Sequence, residues 1–156
     1  MPDLSKCGIH KGEGKYHEEA IYSLALLYSV IHNEISFYLN QFQLTLGKFN
    51  ILMAVEVHGK GIGIRQVEIS NHLIVTPSNM TKLVDKLENE GLVSRSALEG
   101  DRRVNLIRIT PKGKKLLDSL WEGYDSLLKK MMGTLTKEQQ KQLSSLLVLW
   151  FEQLTG

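Results

Sequence analysis

The dipeptide Thr76-Pro77, standing just after a short amphipathic stretch, restricts the fold of this chain more than any other feature. Proline suits the first turn of a helix, because its missing N–H would have no intrahelical partner there and its fixed φ is already helical. A threonine in front of it can cap the free amides. The pair therefore opens a helix that Gly91 ends. Immediately upstream, Gln66 to Leu73 places Val67, Ile69 and Leu73 on a second, shorter helix. Two helices this close must turn sharply on each other. Met80, Leu83, Val84 and Leu87 share the inner face of the second, which leaves Ser78, Asn79, Lys82, Asp85 and Lys86 outward.

The flanking segments follow the same kind of reading. Ile21, Leu24, Tyr28, Ile31, Ile35 and Tyr38 recur in steps of three and four, predicting a long amphipathic helix from about Glu18 to Gln41. Thr45 caps a second helix through Phe49, Ile51, Leu52 and Val55, which stops at the Gly59-Lys60-Gly61 turn; Gly63 belongs to the same turn. Leu92 to Ser96 and Val104 to Ile109 read as a β-hairpin, with Ala97 to Arg103 as its charged tip. Thr110-Pro111 repeats the cap-plus-proline start. Its helix carries Leu116, Leu117, Leu120, Trp121, Tyr124, Leu127, Leu128 and Met131. Thr136 with Gln139 forms a capping box for a last helix bearing Leu143, Leu147, Trp150 and Leu154. Residues 1–17, glycine-rich and without periodicity, read as a tail, and 18–156 as a single domain.

Charge turns this order of elements into a functional expectation. The net charge of +2 is too small to imply nucleic acid, but it is unevenly spread. From Thr76 to Lys115 there are nine Lys/Arg against five Asp/Glu, or +4, and the remainder carries ten against twelve, or −2. Alone, such a run reads as a solvated face. Combined with helix, helix, outward-polar helix and basic-tipped hairpin, it matches a winged helix-turn-helix, in which one helix enters the major groove and the wing reaches a minor groove. The expected fold is thus mainly α with a small β-hairpin wing. Residues 43–111 form the winged lobe, and 18–42 and 112–156 supply dimerisation helices.

At these residues the sequence resembles the MarR family, over roughly Glu18 to Leu154. Leu44-Thr45 with Phe49-Asn50-Ile51-Leu52 is similar to its second helix, and Met80 to Leu87 to its recognition helix. Glu90-Gly91-Leu92-Val93-Ser94-Arg95 leads into the first wing strand. Asp101-Arg102-Arg103, followed by Leu106 to Thr110 and Gly113, resembles its Asp-x-Arg wing and Leu-Thr-x-x-Gly signature. The resemblance implies that Arg103 enters the minor groove with Asp101 orienting it, and that Thr76, Pro77, Ser78, Asn79, Thr81, Lys82, Lys86 and Arg102 complete the DNA-facing set. Lys82 and Lys86 depart from the arginines frequent there, so point-charge phosphate contacts are expected of them rather than bidentate ones. It also implies a cytoplasmic homodimer, a repressor more than an activator, acting on a palindromic operator. A winged-helix module for protein contacts, without specific DNA binding, is the alternative.

A small aromatic or amphipathic effector is a further implication, with Tyr28, His32, Phe37, Tyr38, Trp121 and Tyr124 as the candidate pocket. Aromatic residues at helical spacing are more often plain core. Cys7, beside Lys6 and Lys11, is the single cysteine, and its place in the tail favours an unreactive thiol over a redox sensor. His10, His17, His32, His58 and His72 show no i, i+4 pair, so no metal or other cofactor is expected. Phosphate-loop, His-Glu-x-x-His and Gly-x-Ser-x-Gly motifs are absent from the sequence, which speaks against an enzyme. Neither a membrane-spanning apolar block nor a signal-peptide block in Met1 to Ala20 is found.

Overall fold

A computed structural model describes residues 14–73, 77–98 and 101–156, with Ser5 and Gly12; the side chains of residues 77, 78, 98 and 101–104 lie outside that description. In chain order the elements are α1 (Tyr16–Asn40), α2 (Leu46–Gly59), β1 (Ile64–Arg65), α3 (Gln66–Leu73), α4 (Pro77–Asn89), β2 (Val93–Leu98), β3 (Asp101–Ile109), α5 (Pro111–Met132) and α6 (Lys137–Thr155). The mainly helical class with a small antiparallel sheet is the one expected. The chain divides within α5 into two compact units, Met1–Leu120 and Trp121–Gly156.

In the first unit α2 is the central element. It packs against α1, α3, α4 and the sheet, and Phe49, Ile51, Leu52, Ala54 and Val55 are buried on it. A helix apolar on most of its circumference has to be enclosed in this way. Leu39, Leu44, Ile69, Met80, Val84, Leu87, Ile107 and Leu120 complete the core. The Thr45 hydroxyl accepts from the Lys48 amide at 3.3 Å, the cap the sequence predicts. At the other end Lys60 adopts a left-handed φ of 45°. α1 starts at Tyr16, two residues earlier than expected, with Glu18 and Glu19 favourably placed in its first turn.

The sheet has one strand more than the predicted hairpin. Its order is β1-β3-β2, with Ile64 opposite Ile107 and Arg65 opposite Leu106. Two residues have no period to detect. Gly63, expected only as part of a turn, is what lets β1 approach. At φ +100° it lies so close to β3 that a Cβ would fall 2.8 Å from Arg108 Cγ and 3.1 Å from the Ile107 oxygen. The hairpin strands are also longer than predicted: β2 runs on to Leu98 and β3 begins at Asp101, so most of the expected tip is strand.

The second unit is the rest of α5 followed by α6. The predicted capping box is present: the Thr136 hydroxyl accepts from the Gln139 amide at 3.3 Å, and the Gln139 side chain accepts from the Thr136 amide at 2.9 Å. Gln140 Nε2 donates to the Met132 and Leu135 carbonyls, both at 3.0 Å, satisfying acceptors at and just after the end of α5. No residue of α6 is buried. Among the described residues, no helix is long and apolar enough to cross a membrane.

Candidate nucleic-acid interface

α4 owes its orientation to its inner face, where Met80, Val84 and Leu87 are fully buried. Asn79, Thr81, Lys82, Asp85 and Lys86 are then exposed, as the helical spacing requires. Gln66 Nε2, from the first residue of α3, donates to the Thr81 hydroxyl at 2.7 Å and ties the two helices together on their outer side. Thr76 lies outside the described residues. Pro77 and Ser78 are placed as the first two residues of α4, without their side chains.

The end of α4 is a Schellman turn. Gly91 takes φ +71°, its amide donates to the Glu88 carbonyl at 2.8 Å, and the Leu92 amide donates to the Leu87 carbonyl at 2.9 Å. The start of α5 is bonded to this turn. Thr110 Oγ1 donates to the Gly91 carbonyl at 2.7 Å and accepts from the Gly113 amide at 3.0 Å. A Cβ on Gly113 would overlap the Leu92 carbonyl oxygen, which explains physically why a glycine stands three residues after the threonine.

The wing carries an irregularity in the stretch that holds two of its arginines. Pairing runs regularly from Val93 opposite Ile109 to Ala97 opposite Asn105, and then shifts to Leu98 opposite Asp101. One step on β2 (97 to 98) thus matches four on β3 (105 to 101), leaving Arg102, Arg103 and Val104 as extra length on β3. Such bulges re-aim side chains at the rim of a sheet. The backbone of Asp101, Arg102 and Arg103 lies in β3, while their side chains, and with them the expected Asp101–Arg103 contact, fall outside the description.

Four of the nine cations counted between Thr76 and Lys115 are engaged inside the protein. Arg95 binds Asp85 and Glu88 through its guanidinium, and its amide donates to Glu88 at 3.2 Å, so β2 is clamped to α4. Burial pulls its pKa down, but the Asp85 hydrogen bond and the Glu88 charge outweigh this and raise it. Arg108 Nε donates to the Ile62 carbonyl at 2.8 Å, and Lys112 Nζ to the Glu90 carbonyl at 2.7 Å. Lys114 Nζ bonds Glu56 at 2.6 Å, and that hydrogen bond, with the carboxylate charge, raises its pKa. Lys82, Lys86 and Lys115 are exposed, without a partner among the described residues. A charge count alone cannot separate these engaged cations from free ones. The structure leaves Lys82 and Lys86 as the described cations of the α4 outer face, with Arg102 and Arg103 on the wing bulge.

Two other groups were singled out in the sequence, the histidines and the aromatic residues. His58 of α2 and His72 of α3, fourteen positions apart, stack with ring centroids 3.9 Å apart and planes 3° from parallel. Parallel rings set their lone pairs side by side rather than toward one point, and no group of three potential metal ligands occurs among the described residues. Four of the six pocket candidates form two ring pairs, one in each unit. Tyr28 lies beside His32, with centroids 5.8 Å apart, and Phe37 is 74% exposed. Tyr38 packs on Phe42 and donates its hydroxyl to the Leu120 carbonyl at 2.6 Å. In the second unit Trp121 lies 5.8 Å from Tyr124, whose pKa is raised by burial. Cys7 lies outside the described residues. Sequence reasoning missed Lys48, a buried lysine bonded to Glu90; the signal available was a lysine three residues after a threonine cap, where Glu or Gln completes a capping box.

Residues 44–104, which hold α2, the helix-turn-helix and most of the wing, match the model of the MarR family. Over those residues the chain is similar to the MarR family. It is 28% identical to the HTH-type transcriptional regulator PecS of Dickeya dadantii, over 69% of this chain and 65% of that protein. It is 30% identical to the HTH-type transcriptional repressor YetL of Bacillus subtilis, over 72% of this chain and 66% of that protein. The chain thus spans just under two thirds of these relatives' lengths. The fold is that of the S. aureus MepR–DNA complex, with a TM-score of 0.77 at 22% identity over 86% of this chain and 96% of that one.

Proposed function

We propose that this chain is a sequence-specific double-stranded-DNA-binding transcriptional regulator, a repressor working as a homodimer on a palindromic operator. The observation that carries the proposal is the pairing of an outward polar face on α4, holding Asn79, Thr81, Lys82 and Lys86, with a wing whose β3 bulge holds Arg102 and Arg103. The helix reads base edges and phosphates in the major groove, and Arg103 enters the adjacent minor groove with Asp101 orienting it. Ser78 and Thr76 supply further contacts where the N-terminus of α4 meets a phosphate. Support comes from MepR, a structural neighbour described as a DNA complex, and from YetL, named a repressor.

Dimerisation is the second part of the proposal. One helix reads only a few base pairs, and the exposed apolar side chains of α1 and α6, among them Ile21, Leu24, Leu27, Leu143, Leu147 and Leu154, need a cover. A second copy supplies it and sets half-sites about 10 bp apart. The third part is a small aromatic or amphipathic effector that acts by differential affinity for two separations of the recognition helices, with Tyr28, His32, Phe37, Tyr38, Trp121 and Tyr124 as candidate contacts.

The test is selection from a random duplex pool, followed by salt titration of the winner with the native protein and with Arg103→Ala. An enriched inverted repeat, bound with a log–log salt slope near −0.9 per phosphate contact and more weakly by the variant, supports the reading. A pool that does not enrich, or a variant that binds as well as the native chain, counts against DNA reading or against the wing assignment respectively.

A further inference from the structure

Lys48 is the charged residue that stands out as buried, at 8% exposure. It is the third residue of α2 after the Thr45 cap, where the free amides of a helix start present partial positive charge. Both oxygens of the Glu90 carboxylate hold its ammonium at 2.8 Å, and the Gln43 carbonyl accepts at 3.4 Å. Glu90 follows the last residue of α4, where the free carbonyls favour a cation. Each charge therefore stands at the helix end that disfavours it, and the ammonium has also left water. The Glu90 carboxylate, by contrast, is 43% exposed, and ion pairs partly open to water add little to stability.

The pair's effect is geometric. Gly47, next to Lys48, lies against α4 so closely that a Cβ would stand 3.3 Å from Leu83 Cδ1. Leu83 and Glu90 are seven residues apart, two turns along the same face of α4. The first turn of α2 thus grips α4 at its middle through packing and at its end through charge. Glu90 also gives its backbone carbonyl to Lys112 and precedes the left-handed Gly91 that leads into β2.

We infer that the Lys48–Glu90 pair is a positioning device that sets the direction of α4, and with it the fit to DNA, without contacting DNA or adding stability. The inference rests on the DNA-reading proposal. Lys48 is enclosed and cannot reach a phosphate, and the directional bond replaces an apolar contact that could slide. It makes Lys48 and Glu90 positioning residues for the outward set on α4.

The double substitution Lys48→Met, Glu90→Leu tests this in the full chain. The expected result is a thermal midpoint within about 4 °C of native, with affinity for the selected operator reduced about tenfold or more. Affinity for scrambled duplex and the salt slope stay unchanged, since no phosphate contact is removed. Amide exchange at Glu90, Gly91 and Leu92, whose bonds close α4, becomes faster. Native operator affinity in the folded variant, a reduced salt slope, or a variant that no longer folds would each overturn the inference, the last by making the pair a stability element. If the native protein selects no duplex, DNA reading fails separately and exchange alone decides: faster exchange upholds the positioning role, and unchanged exchange removes it.

Discussion

α2 and α6 both start at a threonine cap and are both rich in aliphatic residues, yet they end in opposite surroundings. α2 has seven of its 14 residues buried. α6, with 19 residues, has none. The difference lies in what each helix finds in its own chain. α2 is enclosed by α1, α3, α4 and the sheet, whereas Leu143, Leu146, Leu147, Leu149, Phe151 and Leu154 of α6 remain exposed. The winged lobe is therefore a core completed by one chain, and α6 presents exposed apolar side chains that the proposed dimer would cover.

The largest expected effect falls on the lobe. Leu52 is fully buried on α2, so Leu52→Ala removes packed methyl groups and leaves a cavity, costing about 2–5 kcal/mol. In chemical denaturation the loss should be the same at every protein concentration. A concentration-dependent loss would mean that the lobe core depends on the second copy, and the contrast between the helices would collapse.

Next comes Leu147→Asp on α6, at a position 38% exposed in the single chain. If a second copy covers it, the variant buries an unpaired carboxylate at the interface and the dimer dissociation constant rises about a hundredfold. Sedimentation should show monomers with the helical content of the lobe retained. An unchanged dimer would place the interface elsewhere.

What was legible in the sequence follows from how local each signal is. The helix starts at Thr45, Thr110-Pro111 and Thr136, the α4 start at Pro77 and the inner face of α4 were all readable, because caps and helical spacing act within a few residues. β1 was not, since two residues carry no period and its pairing with Ile107 depends on a glycine 44 positions earlier, Gly63, fitting against β3. The internal ion pairs of Arg95 were not readable either, because a charge count cannot register that the turn at Gly91 folds β2 back onto Asp85 and Glu88. His58 and His72 met for the same reason, through the packing of α3 on α2. The proposed DNA-facing residues themselves came from the family resemblance, and of them Asn79, Thr81, Lys82 and Lys86 are exposed on α4.

The smallest effect separates the two helices most finely. Thr45 makes one capping bond, to the Lys48 amide, and has no reciprocal bond because lysine cannot accept one. Thr136 makes a full box with Gln139. Replacing either by alanine should cost about 1 kcal/mol, but the loss should appear in different equilibria. Thr45→Ala loosens a helix enclosed by its own chain, so the midpoint should fall by the same amount at all concentrations. Thr136→Ala loosens a helix that gains its cover only on association, so part of its cost should appear as weaker dimerisation, more visible in dilute solution where dissociation is significant. Denaturation of both variants over a hundredfold range of concentration distinguishes these cases. Parallel shifts for the two would show that α6 is stabilised within its own chain, and the exposed leucines would then need another explanation than a second copy.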